Sequence, residues 1–164
     1  MLFLTYTIGE VKAMWKKYKP YILQAIIALA IGGLSAFFVK DGFKTFDSVS
    51  KPFLTPPSAA FPIVWTILFL LMGISAGLIR ETSGQIPFIY WLQLFVNFIW
   101  PIIFFGMQAY LFAFIWLVLL WILIISMIAE FYRINKKAAY LQIPYLVWVT
   151  FAGYLNLAIW IMNM

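Results

Sequence analysis

Residues 82–129 read TSGQIPFIYWLQLFVNFIWPIIFFGMQAYLFAFIWLVLLWILIISMIA, a run of 48 residues without one charged side chain. As a single helix this run would be roughly 72 Å long at ~1.5 Å per residue. The hydrocarbon core of a bilayer is only ~30 Å thick and is crossed by ~20 residues. The run therefore predicts two membrane-spanning helices, with the hairpin between them at residues 106–108, where a glycine and a glutamine nearly adjoin.

The rest of the chain divides at its charges and prolines into three further apolar spans. A mean hydropathy of +1.01, with 66% apolar and 10% charged residues, excludes a soluble domain. We therefore expect an all-α integral membrane protein whose residues 1–164 form one domain, a five-helix bundle with a structured loop between its first two helices. The expected spans are residues 21–39, 59–79, 86–106, 109–129 and 138–162.

The net charge of +6 reflects membrane topology, because every Lys and Arg falls outside the expected spans. Eight of these cations lie on the side of the N-terminus and three, all in the first loop, lie on the other side. The positive-inside rule then places the N-terminus in the cytoplasm. The partner that this charge pattern indicates is a lipid bilayer and not nucleic acid. A bacterial cytoplasmic membrane is expected, because no transit peptide is recognisable.

The chain lacks most of the residues that perform catalysis in membranes. None of the expected spans contains an ionisable Asp, Glu, Lys, Arg or His, so a proton-driven pump is not expected. The chain has no His and no Cys, which removes the usual metal and haem ligands, and no catalytic residue can be assigned firmly. The spans do contain neutral polar side chains, which either link helices or orient a ligand. These are Gln24, Gln93, Asn97, Gln142, Thr150 and Asn156.

The first loop, residues 40–58, is the longest and contains KPFLTPP at residues 51–57. Its three prolines stiffen the backbone, while Phe53 and Leu54 are poorly suited to water. We expect the loop either to cover the helix bundle as a lid or to pack as a short structured turn.

Two further features concern the helices themselves. Pro101 lies inside the third span and should kink that helix or free a carbonyl group. Small residues recur at four-residue spacing at Gly73 and Gly77, and again through Ala28, Gly32 and Ala36, which permits close helix contact. Each of these faces either packs internally or forms a dimer contact, and we expect internal packing for at least one.

Three motifs in this order give the chain a family resemblance over about residues 46–163. The first is KPFLTPP with Phe61, Pro62 and Trp65, and the second is NFIWP at residues 97–101 with FFG at 104–106. The third begins with Pro144 and Tyr145 and continues through Trp148, Phe151, Ala152, the YLN at 154–156, Trp160 and Asn163. Together they resemble the TspO/MBR family, the tryptophan-rich sensory and translocator proteins formerly called peripheral-type benzodiazepine receptors.

The resemblance implies a five-helix bundle, commonly a homodimer, with a pocket for porphyrins and other hydrophobic ligands beneath the first loop. Porphyrin is implied as a ligand, and no cofactor is required. Trp65 and Phe69 lie four residues apart, as do Trp148 and Ala152, so each pair shares a helix face and the two faces would sandwich a flat macrocycle. The ligand-binding residues that the resemblance implies are Phe46, Pro56, Trp65, Phe69, Asn97, Trp100, Phe104, Trp148 and Ala152.

The chain departs from the family pattern at two positions. Leu54 stands where the family usually has a second tryptophan in the loop motif, so no ligand contact or redox role is transferred to that position. Tyr154 is not followed by the basic residue of the cholesterol-recognition pattern of animal members, so cholesterol binding by this route is not predicted.

Three functions remain open at this point. The first is a porphyrin-binding receptor or carrier acting in tetrapyrrole sensing, transport or stress regulation. The second, which the resemblance suggests, is light- and oxygen-dependent porphyrin breakdown, with Trp65 and Trp148 as candidate redox side chains. The third is a small transporter of another hydrophobic or cationic solute.

Overall fold

The computed structural model describes residues 8–40 and 42–164, and within them the regular structure is entirely helical. The helices are α1 (Ile8–Phe38), α2 (Gly42–Ser48), α3 (Ala60–Ser83), α4 (Phe88–Pro101), a π-helical turn (Ile102–Gly106), α5 (Tyr110–Ile134), α6 (Lys136–Tyr140) and α7 (Ile143–Met162). Five stretches of this described part are long and apolar enough to cross a membrane: Val11–Phe38, Ala60–Ser83, Phe88–Gly106, Tyr110–Ile134 and Lys136–Met162. The prediction of a five-span helical membrane protein is confirmed.

Several helices extend beyond the spans expected from the sequence. α1 begins at Ile8, 13 residues before the expected start at residue 21, and its 31 residues are roughly 46 Å long at ~1.5 Å per residue. α3 continues to Ser83 and α5 to Ile134. Charged residues end a hydrophobic segment but not a helix, because Lys, Arg and Glu are good helix formers. The added turns extend the bundle towards the headgroup region.

The fifth span is divided where a single helix was expected. α6 ends at Tyr140, Leu141 and Gln142 form a turn, and α7 starts at Ile143. Pro144 explains the break, because it has no backbone N–H for the carbonyl of Tyr140 but fits well in the first turn of a new helix.

Pro101 disturbs the third span, as its position in the sequence predicted. It has no N–H for the carbonyl of Asn97, and the regular α-helix ends at this residue. The chain continues as a π-helical turn in which the N–H of Met107 donates to the carbonyl oxygen of Ile102 at 2.9 Å. The predicted hairpin follows, with Gln108 at φ 54° in the left-handed region.

α1 and α3 pack closely because of the small residues on α3. A methyl group on Gly73 would overlap the backbone of Ala25, and one on Gly77 would lie 2.8 Å from the Cα of Tyr21. The prediction that at least one small-residue face packs internally is confirmed.

The first loop contains the short helix α2 and packs through it. Phe46 on α2 is buried, whereas Phe53 is fully exposed and Leu54 is 59% exposed. The loop therefore contacts the bundle through Phe46 and not through Phe53 or Leu54. Phe53 and Leu54 lie in a turn that is closed by a hydrogen bond from the backbone N–H of Thr55 to the carbonyl oxygen of Pro52 at 3.0 Å, while Phe46 inserts among the helices.

The C-terminal end of α7 fastens the loop. The side-chain oxygen of Asn163 accepts a hydrogen bond from the backbone N–H of Ser50 at 3.0 Å, and its amide nitrogen donates to the carbonyl oxygen of Ser50 at 2.9 Å. Within the loop, the hydroxyl of Ser58 donates to the carboxylate of Asp47 at 2.6 Å.

Candidate ligand-binding site

A cavity of about 90 Å³ lies among α1, α3 and α4, below α2. α1 contributes small side chains to its wall and α3 and α4 contribute aromatic ones. The lining residues are Gly32, Ser35, Ala36 and Val39 from α1, Phe61, Pro62, Trp65 and Phe69 from α3, Asn97, Trp100 and Pro101 from α4, and Phe105 from the π-helical turn.

Aromatic rings form the wall of the cavity opposite α1. Trp65 and Phe69 lie one helical turn apart on α3, and their ring centroids are 5.6 Å apart. The indole of Trp65 is 6.5 Å from that of Trp100 on α4, with an angle of 35° between the rings. These neighbouring rings present a broad apolar surface to the cavity.

Phe46 of α2 lies over this end of the bundle as a roof. Its ring centroid is 5.8 Å from that of Phe61, 6.0 Å from that of Phe104 and 5.4 Å from that of Phe105. The first loop therefore reaches the site through Phe46. The π-helical turn contributes Phe104 and Phe105 to the same cluster, so the irregularity after Pro101 helps to form the roof.

Asn97 is the most polar side chain in the cavity wall, and a buried hydrogen-bond chain fixes it. Its amide nitrogen donates to the hydroxyl oxygen of Tyr145 at 2.7 Å, and that hydroxyl donates to the side-chain oxygen of Gln93 at 3.0 Å. An asparagine amide has two N–H groups and one acceptor oxygen, so one bond to Tyr145 leaves capacity for a ligand.

Trp100 is also fixed by hydrogen bonds behind the cavity. Its indole N–H donates to the side-chain oxygen of Asn156 on α7 at 3.3 Å, and the amide of Asn156 donates to the carbonyl oxygen of Tyr110 at 2.8 Å. Asn156 thus joins the third, fourth and fifth spans. Its role is to link helices, one of the two roles expected for neutral polar residues here.

The structure brings only part of the expected site together around this cavity. Trp65, Phe69, Asn97 and Trp100 line it, and Phe46 and Phe104 belong to its roof. Pro56 is half-buried in the first loop and, like Trp148 and Ala152, is outside the lining.

Aromatic rings of α3 and α7 contact each other directly. The ring of Trp148 lies 6.0 Å from that of Phe61, and the ring of Trp65 lies 6.2 Å from that of Tyr145. Both contacts bridge the space between the two helices. The indole nitrogen of Trp148 is buried and has no hydrogen-bond partner within the described residues.

Several residues in or behind the cavity wall were not predicted from the sequence. Ser35 is one of them, and its hydroxyl donates to the carbonyl oxygen of Phe98 at 3.1 Å, which ties α1 to α4. Phe105 and Tyr145 were quoted only as parts of motifs. Their proximity depends on how α1, α4 and α7 pack, and spacing along one helix does not indicate it.

Two charged side chains lie above the roof. The ammonium of Lys51 is 4.7 Å from the ring centroid of Phe46 and 3.7 Å from the carboxylate of Asp47. Within the described part of the chain, the residues that line the cavity are all uncharged. Among the described residues, no group of three or more His, Cys, Asp or Glu side chains is placed to hold a metal ion.

Comparison with known proteins gives a family match over most of the chain. The model of the TspO/MBR family matches residues 24–161. The tryptophan-rich protein TspO of Chlorobaculum tepidum is 38% identical over 146 residues, which cover 84% of this chain and 91% of that protein. Protein CrtK of Rhodobacter capsulatus is 34% identical over 143 residues, covering 84% and 89% respectively. The translocator protein of Bos taurus is 31% identical over 140 residues, covering 80% and 83%.

Proposed function

This chain belongs to the TspO/MBR family, and we propose from that premise that it binds porphyrins and other flat hydrophobic molecules in the cavity among α1, α3 and α4. The observation that carries the proposal is the uncharged wall of rings around Trp65, with the fixed amide of Asn97 as its polar group. Such a combination of apolar surface and few placed polar groups is typical of small-molecule sites. Occupancy would serve tetrapyrrole sensing, transport or stress regulation.

The cavity has to widen to admit such a ligand. It encloses about 90 Å³, whereas ligand pockets usually measure ~300–1,000 Å³. The C-terminal end of α1 is the part of the wall suited to move, because the close glycine contacts of α1 with α3, at Tyr21 and Ala25, lie nearer the other end of the helix. Ala36 is exposed at this wall, so we propose that the ligand enters beside α1 and displaces the ring of Phe46.

The charges above the roof suit an amphiphilic macrocycle. A porphyrin with propionate groups has an apolar ring and anionic carboxylates. The ring would lie against Trp65 and Trp100, and a carboxylate would lie near the ammonium of Lys51 once the roof has moved.

The proposal is tested by titrating the purified protein with protoporphyrin IX in the dark. Trp65→Leu should weaken binding at least about fivefold, because an aromatic contact contributes about 0.5–1.5 kcal/mol beyond its buried area. Trp121→Leu is the matched control, since Trp121 is 38% exposed on α5 and bonds to Thr150 away from the cavity. Equal affinity in both variants would reject the proposed site.

Light-driven porphyrin breakdown is the second candidate function. The indole of Trp65 lines the cavity at 6.5 Å from that of Trp100, so redox-capable rings would lie beside a bound macrocycle. Illumination in air should then give a new absorbing product. The amount of this product should be smaller in Trp65→Phe and Trp148→Phe than in the wild type. If the spectra do not change on illumination, the protein binds porphyrin without breaking it down. Uptake of the solute into sealed vesicles that contain the protein would instead identify a transporter.

The proposed membrane placement can be tested because the chain has no cysteine. We propose that the N-terminus faces the cytoplasm of a bacterial membrane and that the protein forms a homodimer. A cysteine introduced at Lys17 should react with an impermeant maleimide only after cells are opened, whereas one at Ser50 should react in intact cells. The reverse pattern would overturn the orientation, and a monomer mass in mild detergent would overturn the dimer.

A further inference from the structure

A second cavity, of about 350 Å³, lies at the opposite end of the bundle from the first loop, where α1 begins and α3 ends. Its wall combines cations with apolar side chains, including Lys16, Lys19, Pro20 and Leu23 from α1 and Arg80 and Glu81 from α3. Nothing in the proposed porphyrin site uses these residues.

The charge of this cavity is not neutralised. Lys16, Lys19 and Arg80 give three positive charges, and Glu81 gives one negative charge. The carboxylate of Glu81 accepts a hydrogen bond from the hydroxyl of Tyr21. Among the side chains that the structure describes, none of the three cations forms a salt bridge with an acidic group.

Close packing of α1 and α3 forms the base of the cavity. Gly77 brings α3 against Tyr21, since a methyl group there would lie 2.8 Å from the Cα of Tyr21. Glu81 lies one turn after Gly77 on the same side of α3, and its hydrogen bond with the hydroxyl of Tyr21 lies at this base. The lysines of α1 come before Tyr21 in the chain and therefore lie around the mouth.

The depth of these residues matches a phospholipid. The 18 residues 21–38 are uncharged and measure roughly 27 Å as a helix, close to the ~30 Å of the hydrocarbon core. Lys16 and Lys19 therefore lie at headgroup level, and Leu23 lies one turn deeper at the level of the acyl chains. Leu23 is 41% exposed, so this apolar side of the cavity is open to lipid.

We infer that this cavity binds an anionic phospholipid, with the phosphate among Lys16, Lys19 and Arg80 and an acyl chain along Pro20 and Leu23. Lys and Arg form strong charge-assisted hydrogen bonds to phosphate oxygens. Two simpler roles would explain the cations themselves: all three could set the membrane topology, and Arg80 could offset the negative end of the α3 dipole. Neither role accounts for the concave shape and the adjoining apolar wall, which a free phosphate ion would not use.

Native mass spectrometry of the detergent-purified protein tests the inference. Phosphatidylglycerol should be retained at least tenfold better than phosphatidylcholine with the same acyl chains. The variant with Lys16→Gln, Lys19→Gln and Arg80→Gln should lose at least tenfold in phosphatidylglycerol affinity, because each cation near an anionic surface contributes about fivefold. The matched control is Arg133→Gln with Lys136→Gln and Lys137→Gln, which removes three exposed cations from the same predicted side and should bind like wild type.

Two competitors distinguish the source of the phosphate. Glycerol 3-phosphate and inorganic phosphate at millimolar concentration should displace little phosphatidylglycerol if the acyl chain contributes. Displacement by either would overturn the lipid assignment in favour of a free-anion site. Equal losses in both triple variants, or no loss in the first, would overturn the site itself, and a shared unfolding temperature confirms that the variants are folded.

Discussion

Tyr145 is the residue that holds the polar side of the cavity in place. Its hydroxyl accepts from Asn97 at 2.7 Å and donates to Gln93 at 3.0 Å, so it uses both its donor and an acceptor position. All three side chains are buried. Leaving a buried polar group unpaired costs free energy of folding, so these hydrogen bonds fix the orientation of the Asn97 amide.

We predict that Tyr145→Phe lowers the free energy of unfolding by about 1–3 kcal/mol. The substitution keeps the ring but leaves the N–H of Asn97 and the oxygen of Gln93 without their partner. Thermal unfolding in detergent would measure the loss. Tyr154→Phe removes the same hydroxyl from an exposed position on α7 and should change stability by less than about 0.5 kcal/mol.

A loss of equal size in the two tyrosine variants would contradict the role given to this hydrogen-bond chain. Protoporphyrin affinity in Tyr145→Phe should also fall, since the released amide of Asn97 no longer has one orientation.

At the scale of single residues, the sequence predicted which side chains belong to the site better than it predicted which side chains contact each other. Trp65, Phe69, Asn97 and Trp100 were expected at the site and line the cavity. Trp148 was expected to face Trp65 across a ligand; it lies outside the cavity lining, where its ring contacts Phe61, and the ring of Trp65 contacts Tyr145. Helical spacing indicates which residues share a face, whereas the rotation of α3 against α7 depends on packing across the whole bundle.

Among the elements, the pair α1 and α3 is the most closely packed, and its contact depends on glycine. In a bilayer, helices associate through close packing because lipid is as apolar as the side chains. Gly73 and Gly77 give α1 access to the backbone of α3, so they act within one chain, and the proposed homodimer would have to use another surface.

We predict that Gly73→Ala destabilises the fold by about 1–3 kcal/mol, because the added methyl group overlaps the backbone of Ala25. Gly33→Ala on α1 is the matched control. Its methyl group would meet nothing within 4 Å, and alanine favours a helix by about 1 kcal/mol over glycine. Unfolding temperatures should therefore move in opposite directions, and a stable Gly73→Ala variant would contradict the close contact.

The first loop depends on one side chain at the end of α7. We predict that Asn163→Ala makes the amide of Ser50 exchange with solvent faster, because that amide loses its acceptor. Peptide-level hydrogen exchange over residues 49–53 measures this. Asn135→Ala, which removes the cap of α6, is the control and should leave the loop unchanged. Unaltered exchange in Asn163→Ala would show that the prolines alone hold the loop.

Prolines interrupt two of the spans, and only one of the two interruptions was predicted. Pro101 was expected to disturb its helix, and the π-helical turn follows it. Pro144 was seen only as part of a motif, yet its missing N–H divides the fifth span. The early start of α1 at Ile8 was missed because the lysines were read as the end of the span, although lysine is compatible with helix.

For the whole molecule, the 48 uncharged residues at 82–129 were enough to predict a polytopic helical protein. The bilayer leaves a chain few ways to satisfy its backbone, so length and charge predict the fold class. The cavity was less predictable, because it arises from three helices and a loop that meet only in the assembled bundle.

The central claim is that a flat hydrophobic ligand binds beside α1, and a substitution that fills the cavity tests it most directly. Ala36 lines the cavity, whereas Leu34, two residues earlier on the same helix, is outside the lining and 54% exposed. The measurement is a dark absorbance titration with protoporphyrin IX of Ala36→Trp and Leu34→Trp. We predict at least tenfold weaker binding for Ala36→Trp and wild-type affinity for Leu34→Trp. Wild-type affinity in both variants would contradict the account.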